Sequence, residues 1–201
     1  MEYVTSLEAL QALYGAPGQP ALRKVARRMT PQYRRWIMAS RFCVLSTVGP
    51  EGTDGSPRGD DGPVVAELDP QTLALPDWRG NNRIDSLRNI VADGRVSLMF
   101  MVPGSNTVVR VNGTAKLTLD EGLRARFGRD GKMPRSVIVI RIAEIYTQCA
   151  RAVMRAGLWT AGDQSAGLPT PGDILTEMTE GEIDGAAYDA EWPGRAATSM
   201  W

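Results

Sequence analysis

The sequence contains no histidine. That excludes a Ser-His-Asp or Cys-His catalytic site and any histidine-ligated metal centre. Chemistry here must come from carboxylates, arginines, hydroxyls or a bound group that brings its own reactive atoms. Cysteine is scarce too: Cys43 and Cys149 are too few for a disulfide framework, so a reducing cytoplasm is the expected compartment. There is no surplus of charge, with Lys+Arg and Asp+Glu at 23 each, which argues against a general nucleic-acid binder. An anion site must therefore arise from local clustering. No apolar run approaches the roughly 20 residues that a bilayer span needs, and Glu2 stands where a secretory leader carries positive charge. Neither a membrane nor an export role is expected.

What is present reads as one soluble domain over 201 residues, with helices in 1–40, a strand-rich body in 41–148 and helices plus a tail in 149–201. Thr5 and Glu8 form a capping-box pattern before Leu7, Leu10 and Leu13, and residues 21–29 and 31–39 read as two basic helical pieces split by Pro31. Alternation begins at Phe42, and Gly49-Pro50-Glu51-Gly52 reads as a turn. Residues 55–63, rich in Gly and Asp, read as a loop. Strands follow at 63–68 and 72–75, then a helix over 82–92 with Asn82 as N-cap. Further strands run over 95–102, 107–118 (interrupted at Gly113) and 135–146, with a capping box at Thr118 and Glu121 between the last two. Residues 149–158 read as helical, and Thr170-Pro171 caps another helix near Asp173. Val96, Leu98, Phe100 and Val109 are candidates for core or interface. About six short strands with one inserted helix do not alternate as a doubly wound sheet does, so a small antiparallel barrel fits better.

The segment richest in chemistry is LPDWRGNNRIDSLRN, residues 75–89. A strand ends, a glycine turns the chain and a helix opens. The free N–H groups and partial positive charge of a helix start favour phosphate. Arg83 and Ser86 lie at that start, and Arg88 is one turn past Ile84. The competing reading makes these arginines solvated surface charges paired with Asp77 and Asp85. Arg58, in SPRGDDG, is a second phosphate-ligand candidate, unless that stretch is only a wet loop. Arg110, Asn112 and Thr114 share one strand face, either a polar ligand wall or the outer face of an edge strand.

Taken in order, RFCVLSTVGPEG, SPRGD, LALPDWRGNNRIDSLRNI, RVSLMFMVPG and VVRVNGTAKL resemble the pyridoxamine 5′-phosphate oxidase superfamily. QCARAVMRAGLW, residues 148–159, is similar to the C-terminal signature of a subgroup of probable FMN-dependent enzymes. The resemblance implies a mainly β fold with flanking helices (α+β), a six-stranded antiparallel split β-barrel of Greek-key type. It also implies FMN as cofactor and a homodimer with a flavin at each end of its interface. Arg58, Arg83 and Ser86 then match the phosphate-holding positions, with Arg88 as a neighbour, Asn82 capping the turn and Leu87 within it. Arg110 lies on the strand that borders the flavin of the facing subunit, and Trp159 and Arg155 are candidates to cover the ring, with core packing the alternative for Trp159. Cys149 reads as a buried helix residue.

The sequence departs from the pattern at three points. The family's lysine five residues after the arginine is Pro63 here, its substrate-phosphate histidine is missing, and Gln148 stands where the subgroup often has histidine before cysteine. These departures argue against pyridoxamine 5′-phosphate as substrate and against haem held by histidine. The expected activity is an FMN-dependent oxidoreductase acting on a small molecule, with NAD(P)H as a possible donor. The alternative is a non-catalytic flavin or haem binding protein for storage or sensing.

Overall fold

A computed structural model describes all residues, 1–201. In chain order the elements are α1 (Leu7–Tyr14), α2 (Gln19–Arg23), α3 (Pro31–Ile37), β1 (Phe42–Gly49), β2 (Gly52–Gly59), β3 (Ala66–Asp69), β4 (Thr72–Asp77) and α4 (Asp85–Ala92). They continue with β5 (Arg95–Met101), β6 (Val108–Thr118), α5 (Glu121–Ala125), β7 (Ser136–Gln148), α6 (Arg151–Arg155), α7 (Pro171–Met178) and α8 (Gly185–Ser199). The strands form one antiparallel sheet in the order β2-β1-β5-β6-β7-β4-β3.

The mainly antiparallel α+β architecture agrees with the sequence reading; the strand count does not. There are seven strands, because residues 52–59 pair along β1 instead of forming a loop. GTDGSPRG has no apolar alternation to announce a strand. It is held by backbone pairing across the tight 49–52 turn, and Pro57 is tolerated because β2 is an edge strand.

Several boundaries move for local reasons. Ser6, not Thr5, caps α1, its Oγ accepting the Ala9 N–H at 3.1 Å. Asp120, not Thr118, caps α5, its carboxylate accepting the Leu123 N–H at 2.7 Å. The helix expected to start at Asn82 starts at Asp85, with Ile84 as its N-cap residue. Residues 21–29 are not one helix: α2 ends at Arg23 and Ala26 pairs with Ile145 instead. Cys149 is exposed rather than buried. The Thr170–Asp173 capping box is present and opens α7.

The core lies on one face of the sheet under α3 and α4. Val96, Leu98 and Phe100 of β5, with Val109 and Val111 of β6, point into it. In β7 the buried positions run Ile138, Ile140, Ile142 and then jump to Ile145. The jump is a bulge: Asn112 faces Glu144 but Gly113 faces Ile142, leaving Ala143 extra. The bulge turns the Ile145 backbone toward Ala26, and the two exchange N–H···O bonds of 2.7 and 2.9 Å. Gly113 permits this close approach, since a Cβ there would sit 2.0 Å from the Arg141 carbonyl oxygen.

Gly113→Ala should therefore cost about 1–3 kcal/mol of unfolding free energy, as overpacking does. Gly55→Ala, whose Cβ would meet nothing within 4 Å, should cost well under that. Urea denaturation of both variants checks the contrast, and equal midpoints would refute the steric account of the bulge.

Candidate functional site

The main cavity, about 830 Å³, opens between β2, the end of β4, the 78–84 turn and the first turn of α4. Arg58 reaches across it from β2, its Nη1 donating to Asp77 Oδ1 of β4 at 2.6 Å. Both side chains are largely buried, at 18% and 12% exposure. The Arg58 Nε is buried with no acceptor, and so is the Trp78 indole Nε1 beside it. A buried donor without a partner is costly, so two of them lining one cavity fit a ligand that brings acceptor oxygens or nitrogens.

The α4 end supplies further donors. No side chain caps this helix, and the Asp85, Ser86 and Leu87 N–H groups have no acceptor in the chain. Ser86 is buried and its hydroxyl donates to Asp54 of β2. The approach to the helix is strained: Asn82 and Ile84 have φ of 63° and 54°. Asparagine tolerates the left-handed region but a β-branched residue does not, at roughly 1–3 kcal/mol. Two bonds hold the turn in this shape: Asn81 Oδ1 accepts the Arg83 N–H at 3.1 Å, and Arg135 Nη1 donates to Asn82 Oδ1 at 2.8 Å. The Arg83 guanidinium is 77% exposed and pairs with Asp85 at 2.9 Å. Four arginines and three aspartates line the cavity, so its charge is slightly positive.

Of the sequence-derived site residues, Arg58, Asn82, Arg83, Ser86 and Leu87 all line this cavity. Three others lie elsewhere. Arg88 is exposed one turn on. Arg110 donates to Ser97 Oγ at 3.1 Å and sits over the Tyr146 ring. Trp159 donates from Nε1 to the Ser105 carbonyl at 2.8 Å. Sequence reasoning missed Asp54, Trp78 and Arg135. Asp54 lay in the unrecognised β2, Trp78 gave no sign that its indole N–H would be orphaned, and Arg135 meets the turn only through the pairing of β7 with β4. It also missed Trp201, whose ring lies edge-on to Trp78 at 5.2 Å and under Arg129 at 4.5 Å. Arg129 is anchored by Asp60 and Asp61, and its hydrogen bond holds the Asp61 carboxyl below the usual carboxylate range.

A family model for pyridoxamine 5′-phosphate oxidase matches residues 29–149, more than half of the chain. The chain belongs to the pyridoxamine 5′-phosphate oxidase family. Among solved structures, a point variant of HupZ from Group A Streptococcus is 17% identical with a TM-score of 0.50, covering 59% of this chain and 98% of that one. An FMN-binding protein from Syntrophomonas wolfei subsp. wolfei is 16% identical with a TM-score of 0.43, covering 71% and 92%. General Stress Protein 26 from Bacillus anthracis str. Sterne is 19% identical with a TM-score of 0.43, covering 57% and 88%. No curated protein matches the chain. All the residues that line the cavity fall within the matched span. No helix is long and apolar enough to cross a membrane.

Cys43 stands behind Arg58 in the β1–β2 register, and burial pushes its thiol up to about 12 against the opposing charge of Arg58. It is not a nucleophile at neutral pH. In the folded protein at pH 8, DTNB should react quickly with one thiol per chain, the exposed Cys149, and with the second only after unfolding. Rapid release of two equivalents from folded protein would contradict this burial.

Proposed function

We propose that this cavity binds FMN and that the protein is an FMN-dependent oxidoreductase. The observation that carries the reading is the pair of orphaned buried donors, Arg58 Nε and Trp78 Nε1, beside an uncapped helix start. FMN phosphate is close to a dianion at neutral pH. The unpaired N–H groups of Asp85, Ser86 and Leu87, with Arg58 and Arg83, form a donor set suited to such a group. Asn82 keeps the turn in place through Arg135, and Trp78 directs its indole N–H to an acceptor on the same ligand. Arg88 adds positive charge one turn away. Arg110 and Trp159 are assigned to the boundary of the flavin held by a second copy, because both lie away from their own chain's cavity.

Bound flavin supplies the acceptance of a hydride or electrons, so no protein histidine is needed. The protein's own part is to bind and orient that group and to leave a path for a small donor. Pro63 in place of the family's lysine and the lack of histidine favour a substrate other than pyridoxamine 5′-phosphate. NAD(P)H is the proposed electron donor and the cytoplasm the proposed compartment.

Titration with FMN should show one site per chain. Arg58→Lys keeps the charge but removes Nε and the planar fork, so it should weaken binding by about ten- to a hundredfold, the value of a charge-assisted bond. Arg126→Ala, an exposed residue outside the cavity, should change it less than about fivefold. Equal affinities would remove the phosphate assignment. With FMN bound, anaerobic NADH or NADPH should bleach the flavin absorbance; a flavin that binds but resists both donors would favour the non-catalytic holder.

A further inference from the structure

The balanced overall charge hides a strong segregation. Between Glu8 and Glu51 stand seven basic side chains and no acidic one. From Gly157 to Trp201 stand eight carboxylates and one basic residue, Arg195. Four of the seven basic side chains and the whole acidic segment lie outside the family match, which spans residues 29–149. The two do not neutralise each other within the chain. In the basic segment only Arg34 has an ion-pair partner, Glu67, and in the acidic one only Glu191 has one, Arg195 four residues on. Arg23, Arg27 and Arg28 are exposed without a carboxylate, and Glu177, Glu180 and Glu182 are exposed without a cation.

Both segments also leave apolar surface uncovered. α1 buries none of its residues, and Leu7, Leu10 and Leu13 are open to solvent. A helix of eight residues is marginal in water without a packing partner. At the other end α7 and α8 pack on each other through a glycine crossing, where Cβ atoms at Gly172 and Gly185 would each come within 2.1 Å of the other's carbonyl oxygen. The outer side of this hairpin shows Ile174, Met178 and Trp192.

We propose that the acidic α7–α8 hairpin of one copy of this chain docks on the basic N-terminal segment of a second copy, and the reverse. Opposite charge and exposed apolar surface occur on both sides of this contact. An isologous pair closes with two such contacts, which accounts for a chain whose two arms have opposite sign and whose sum is zero. None of the charged residues proposed for this contact lines the cavity, so it stands whether or not that cavity binds FMN.

The test uses two triple variants of the full chain, R23E/R27E/R28E and E177K/E180K/E182K, co-expressed with tags of different mass. Each variant paired with itself sets like charges against each other, whereas the mixed pair keeps both contacts attractive. Native mass spectrometry should show about nine-tenths or more of the dimer as the mixed species, with self-pairing of each variant weakened about tenfold or more at low salt. A statistical mixture, half mixed and a quarter each self-paired, overturns the proposal. So does a wild-type chain that stays monomeric at tens of micromolar, or a variant whose self-association matches wild type. Circular dichroism of each variant, expected to match wild type because every altered side chain is exposed, establishes that the dimer populations report on pairing.

Discussion

The Arg58–Asp77 pair holds closed a gap that the backbone leaves open. β2 is an edge strand bonded only to β1, and β4 lies near the opposite end of the sheet order. No ladder joins them. The sheet curls until β2 and β4 face each other, and a guanidinium on one meets a carboxylate on the other at 2.6 Å. The cavity is the space left by this incomplete closure. A buried ion pair costs desolvation, and removing one partner leaves a charge uncompensated at about 3–5 kcal/mol. The pair thus ties folding to the site: its Nη1 goes to Asp77, and the Nε of the same side chain is left free for a ligand.

Other elements of the site serve that arrangement. The left-handed Asn82 and Ile84 bring the start of α4 to the cavity without a side-chain cap, so its N–H groups stay available. Asp54 holds Ser86 and fastens α4 to β2, while Arg135 fastens the turn to the start of β7. The strain at Ile84 is kept because contacts on both sides of the turn fix it. The Gly113 bulge acts at a distance, turning β7 so that Ile145 in its far half bridges to Ala26 while its near half pairs with β4.

Features carried by contiguous sequence were the legible ones. The alternation in 95–101 and 108–118 gave β5, β6 and their buried residues, and the run from Trp78 to Arg88 showed a basic, hydroxyl-bearing helix start. β2 was not legible, because an edge strand needs no hydrophobic face and its Gly, Asp and Pro content reads as loop. α8 was hidden by Pro193 within it. The Asn82 cap failed because its left-handed backbone delays the helix to Asp85, and its side-chain oxygen instead accepts from Arg135, 53 residues away. Asp54, Trp78 and Arg135 acquire their roles only when β2, β4 and β7 come together, and no spacing rule within one segment records that. The family resemblance supplied what periodicity could not, and the seven-stranded sheet then corrected the count that came with it.

The central claim is that the two orphaned donors are filled by FMN, and nuclear magnetic resonance of nitrogen-15-labelled protein tests it at the atoms concerned. Adding FMN should move the Trp78 indole N–H and the Arg58 Nε–H resonances together, saturating at one FMN per chain, while the Trp36 indole N–H, on α3 and outside the cavity, moves far less. If FMN binds and the Trp78 and Arg58 resonances stay where they were, the cavity is not the flavin site.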